Sequence, residues 1–128
     1  MNQPLIKVGF VICALGLVVL AVTVKSFSSL CKNNIIKSSD SPDKFWKVVL
    51  FERDCGATTD YSSQVSLLSA GATLEDEAGN IFIAESRSEG YALTWTDTKS
   101  ILISGIKGEI FKQELSKNGI SIRYQSAP

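Results

Sequence analysis

Cys31 and Cys55 are the cysteines outside a long apolar run, and the second sits in the stretch Arg53-Asp54-Cys55-Gly56-Ala57-Thr58-Thr59. Two chemistries are open to such a pair. In an oxidising compartment a disulfide is the expected use, because a small exported domain gains from a covalent staple. In a reducing one they are separate thiols, one in a linker and one in a loop. A nucleophilic Cys55 needs a neighbouring cation or base to lower its pKa, and the adjacent candidate is Arg53. The chain contains no histidine. That removes Ser-His-Asp and Cys-His catalysis, His-ligated zinc and the usual general base near neutral pH. What is left for an enzyme is a set of carboxylates around the same loop, with Glu52, Asp54 or Asp60 as acid and base. Gly105-x-x-Gly108 lacks the strand–loop–helix setting of a phosphate cradle, so no cofactor is expected.

The loop residues also have a purely architectural use. Gly56 supplies a backbone conformation that other residues resist, just where a strand ends. Asp54, Thr58 and Thr59 are types whose side chains bond nearby backbone N–H groups and hold a loop in shape. A bridge from Cys55 to Cys31 would pin the preceding linker against the end of the first strand. Elsewhere, Glu75-Asp76-Glu77 with Asn80 could offer oxygen ligands, but the spacing of a calcium loop is absent and a solvated turn is expected, with no metal site. Trp46, Trp95, Tyr61, Tyr91 and Tyr124 belong mostly in the core of a domain this small, with Trp46 the candidate for exposure beside a turn. Thirteen Lys and Arg balance thirteen Asp and Glu. With Lys7 and Lys25 set aside the remainder is slightly acidic, which excludes a nucleic-acid partner held by a basic surface.

These residues must be positioned by two unlike parts of the chain. Positions 8–24 carry no charge and are bracketed by Lys7 and Lys25. As a helix rising ~1.5 Å per residue they approach the ~30 Å core of a bilayer once Leu5, Ile6 and the lysine stems are added. Thr23-Val24-Lys25-Ser26 gives no signal-peptidase site, and neither Ile12-Cys13 nor Leu30-Cys31 suits lipid attachment, so a retained anchor over 1–25 is favoured over a cleaved signal. Gly9, Cys13 and Gly16 share one helix face and are candidates for close packing on a second membrane helix. Lys25, Lys32 and Lys37 lean toward a cytoplasmic domain, whereas the cysteine pair favours an exported one. The reading taken is a single-pass inner-membrane protein with a periplasmic or extracytoplasmic domain.

Residues 26–42 are polar and rich in breakers and read as a linker, with Ile35-Ile36 as a short strand candidate. From 43 to 128 the apolar runs are short, β-branched or aromatic, and punctuated by turn residues. Strands are predicted at 45–53, 62–69, 80–85, 91–96, 100–104, 110–115 and 120–125. Asn118-Gly119 is the strongest hairpin signal, since both residues tolerate the positive φ of a type I′ turn. Ile120, Ile122 and Tyr124 alternate with Ser121 and Arg123, as in a strand with one wet face. The expected fold is all-β, a small antiparallel sheet or sandwich of meander type, preceded by one transmembrane helix.

Two stretches carry a resemblance. Ser41-Pro42-Asp43-Lys44, leading into Phe45-Trp46-Lys47-Val48-Val49, looks like the S-P-D-G-K lead-in to a strand of propeller-type repeats, with Lys44 in place of the glycine. Phe51 to Thr59 together with Gln64-Val65-Ser66 resembles a family of small bacterial proteins with an anchor or signal and an R-D-C-G-A-T-T signature. That resemblance covers roughly residues 31 to 125 and implies an earlier cysteine before the S-P-D turn, matched here by Cys31. It implies no activity. The function expected is therefore a protein-binding module at the cell envelope, with the membrane contacted through 8–24. An immunity or inhibitor protein, an assembly accessory and a carboxylate-dependent enzyme are the alternatives.

Overall fold

Runs rich in Val, Ile, Phe and Thr, interrupted by Gly, Asn, Asp and Ser, make extended segments that bury one face or both. The computed structural model describes residues 30–56 and 60–128. The expected anchor, with Gly9, Cys13 and Gly16, lies outside them, as do Thr58 and Thr59. Among the described residues no helix is long and apolar enough to cross a membrane. The strands are β1 (Lys32–Asp40), β2 (Trp46–Asp54), β3 (Ser62–Ser69), β4 (Phe82–Glu85), β5 (Ala92–Asp97), β6 (Ser100–Ile106), β7 (Glu109–Gln113), β8 (Ser116–Lys117) and β9 (Ile120–Ser126).

The fold is all-β. A five-stranded sheet runs β1-β2-β3-β4-β7 and a four-stranded one runs β5-β6-β9-β8. Their inner faces share one core, in which Val48, Leu50, Val65, Leu67, Phe82 and Ala84 meet Ile101, Ile103, Ile120 and Ile122. The pairs within the first sheet are antiparallel. The second contains one parallel pair, β6 with β9, so the expected meander holds only through β4. After β4 the chain alternates between sheets, with Gly90 and Gly108 at positive φ in the crossings and Gly105 at positive φ near the end of β6. A Cβ on Gly105 or Gly108 would come within 2.0 Å of the Gly90 carbonyl oxygen or 1.9 Å of that of Glu85. Hydrophobic alternation alone cannot reveal such sheet-switching, because both sheets draw on the same inward-facing pattern.

The compact unit spans Cys31–Pro128, so most of the segment expected to be linker forms β1. Its polar sequence hid it. It is an edge strand, and Ile35 and Ile36 remain exposed. Asn118 and Gly119 have φ of 51° and 78° and close the β8–β9 hairpin as expected. Trp46 packs against the core, while its neighbour Phe45 is the exposed one.

A second apolar layer sits on the outside of the larger sheet. Val49 and Phe51 alternate with the core residues of β2 yet are also buried. The connection from β3 to β4 folds back over them: across from Phe51 the Gln64 Oε1 accepts the Gly79 N–H (2.6 Å), and across from Val49 the Ser66 Oγ accepts the Asn80 N–H (3.1 Å). The Asn80 amide bonds both the N–H and the carbonyl of Leu67, at 2.8 Å each, replacing a strand partner. Earlier in the same connection, Asn33 Nδ2 donates to the carbonyls of Glu75 and Glu77 and Asp76 Oδ1 accepts the Asn33 N–H. The acidic triplet is thus a loop clasp on β1.

Candidate functional site

Lys32 pairs with Asp54 at the end of the β1–β2 ladder. Cys31 and Cys55 are therefore the next residues to face each other, and they form a disulfide with Cα atoms 4.0 Å apart. Beyond it Asp54 Oδ1 accepts the Gly56 N–H at 2.9 Å, with Gly56 at φ +117°. The Arg53 Nη1 donates to Asn33 Oδ1 at 2.7 Å. The described part of the Arg53–Thr59 stretch therefore works as a stapled strand end. Glu52, Asp54 and Asp60 are engaged separately rather than as an acid–base pair: Glu52 with Ser88 and Arg87, Asp54 with Gly56, and Asp60 on the wall of a cleft.

That cleft was not legible in the sequence, since its residues come from distant segments. It has a volume of about 470 Å³ and is lined by Asp60, Tyr61, Glu85, Ser86 and Arg87. The Arg87 guanidinium lies 3.7 Å from the centroid of the Tyr61 ring, a cation–π stack. Behind it Glu52 accepts the Ser88 hydroxyl at 2.7 Å and the Ser88 N–H at 3.1 Å, with Arg87 Nη1 3.8 Å away. The Ser88 hydroxyl above all, then its N–H and the Arg87 charge, hold the Glu52 carboxyl below the usual range against the opposing effect of burial. Ser86 Oγ bonds the hydroxyl of the buried Tyr91, which also reaches the Lys107 carbonyl, so the floor is fixed to both sheets.

A second feature lies along the other edge of the larger sheet. Ile110, Phe111 and Leu115 are 39%, 61% and 71% exposed on β7 and the segment after it. Phe111 is bulged, because Ile83 pairs with Lys112 and Ala84 with Ile110, leaving it without a partner. Ile36 is bulged in the same way on β1. Bulged, charge-bearing edges resist pairing with a further strand. The side chains at β7 are nonetheless displayed, and two adjacent apolar residues breaking the alternation were the sequence signal for it.

The model described as "Family of unknown function (DUF5412)" matches residues 4–117, and the chain belongs to that family. The matched span takes in the apolar run at 8–24 together with β1 to β8. No curated protein and no solved structure matches the chain.

Proposed function

We propose that this protein is a membrane-anchored binding module whose β-sandwich engages a protein partner at the extracytoplasmic side of the envelope. The observation that carries the reading is the exposed apolar strip of Ile110, Phe111 and Leu115 on a rigid sheet edge. Displayed aromatic and aliphatic anchors on a fixed scaffold are what a protein interface uses, with surrounding charges such as Glu109, Lys112 and Glu114 as its rim. The bulge at Phe111 favours docking through side chains rather than strand addition. The disulfide supports an oxidising compartment. The uncharged run at 8–24, inside the family match, supports the tether.

Two measurements on the full-length protein in intact cells test it. A photo-crosslinking residue at Phe111 gives a discrete adduct that disappears in Leu115→Asp, whereas the same residue at Thr94, on the polar outer face of the smaller sheet, gives none. Equal behaviour at the two positions sinks the binding surface. A membrane-impermeant maleimide labels Cys31 and Cys55 only after reduction. Free thiols reached only on lysis would instead place the domain in the cytoplasm.

A further inference from the structure

We propose that the cleft lined by Asp60, Tyr61, Glu85, Ser86 and Arg87 binds a short zwitterionic peptide, its carboxylate on Arg87 and its ammonium group between Asp60 and Glu85. This site is distinct from the apolar strip and does not rest on that reading. Arg87 is held for the purpose. Its guanidinium is stacked on Tyr61, its side chain is 59% exposed, and its ion partner Glu52 stands at 3.8 Å, beyond hydrogen-bond reach. Glu52 is satisfied by the Ser88 N–H and hydroxyl, which leaves the guanidinium fork pre-oriented, its donors unclaimed by any other described residue. A planar fork of this kind takes a carboxylate through two parallel hydrogen bonds.

The opposite charge is present and unneutralised. Asp60 and Glu85 line the same cleft, and among the described residues the one ion pair within 4.0 Å is Arg87 with Glu52. Glu85 also lies directly across from Glu109 in the β4–β7 ladder. Like charges facing each other on one face of a sheet are unfavourable, and an incoming ammonium group relieves that repulsion. The walls cannot easily rearrange to do so themselves. Gly108 packs its backbone on the Glu85 carbonyl with no room for a Cβ, and Ser86 is tied to the buried Tyr91 at 2.7 Å. The cleft, about 470 Å³ in volume and open to solvent, has room for a dipeptide.

Full-length protein in detergent micelles, with its backbone amides resolved by NMR, is titrated with alanyl-alanine, its N-acetyl form and its C-terminal amide. The proposal expects saturable shifts at Asp60, Tyr61, Glu85, Ser86 and Arg87, with either cap weakening binding roughly tenfold or more, as loss of a charge-assisted pair does. Arg87→Lys, which keeps the charge but loses the fork, weakens the free dipeptide by a similar factor while leaving the spectrum elsewhere unchanged. Absent shifts, equal shifts from the capped peptides, or shifts that map away from the cleft overturn it. Because the three probes differ only at their ends and are compared on the unaltered protein, the result holds even if a variant misfolds. Failure here leaves the crosslink at Phe111 untouched, so the two readings are judged apart.

Discussion

Lys44 holds φ at 65° in the β1–β2 turn, a left-handed conformation that costs a residue with a side chain roughly 1–2 kcal/mol. The turn is over-determined around it. The buried Ser41 donates its hydroxyl to Asp43 at 2.6 Å and accepts the Trp46 N–H at 3.0 Å, while its carbonyl accepts the Lys44 N–H at 2.9 Å. The Ser41 hydroxyl is also the first reason the Asp43 carboxyl titrates below its usual range. Replacing Lys44 with Gly therefore relieves strain, offset in part by the greater freedom of an unfolded glycine. A gain of about 0.5–1 kcal/mol is expected in urea unfolding. A loss would mean that the lysine side chain itself contributes at the tip. That a turn lies here was legible in the sequence, because Ser, Pro and Asp form their bonds within a few residues, while the glycine position that Lys44 occupies was visible only through the resemblance to an S-P-D-G-K lead-in. The Arg87–Tyr61 stack was not legible, since nothing local records which distant side chains converge.

Glu52 ties β2 to the connection after β4, and that tie is a titratable one. Its folded pKa is depressed below the ordinary 4.5, chiefly by the Ser88 hydroxyl. The stabilisation is therefore fully present above about pH 4.5 and is lost as pH falls through the lower folded value. Glu52→Gln should cost on the order of 1–2 kcal/mol at pH 7 and flatten the acid side of the stability profile. An unchanged profile would show that the tether holds no ionised group. The strands from β2 to β7 and β9 are legible in the sequence, from short branched runs and the turn residues between them. β1 was expected only at Ile35-Ile36, because its positions toward the smaller sheet, the exposed Lys37 and the half-buried Ser39, are polar. They meet the other sheet through bonds to backbone, Lys37 Nζ to the Tyr91 carbonyl and Trp95 Nε1 to the Ser39 carbonyl.

Across the whole sandwich the buried polar side-chain atoms of the described residues all have partners, so stability is carried by a small, fully satisfied core and one covalent link. The Cys31–Cys55 bridge closes a span of 24 residues, worth roughly 3 kcal/mol by the loop-entropy argument. Cys31→Ser combined with Cys55→Ser should lower stability by about 2–3 kcal/mol. A negligible loss would mean that the β1–β2 ladder alone restrains that end. On the other flank Tyr124 sets its hydroxyl between the carbonyls of Ile81 and Glu114, and burial first, then the Glu114 carboxylate, raises its pKa. The parallel pairing of β6 with β9 also has a consequence in time. During synthesis β6 emerges before the strand that will lie between it and β8, and at ~5–20 residues per second its flank stays open for on the order of a second or more. The smaller sheet thus cannot be sealed progressively as the polypeptide is delivered. It waits for Ile120–Ser126, which makes maturation of the domain a step taken after elongation has passed its last strand, and makes that interval the moment of greatest exposure to proteases and chaperones.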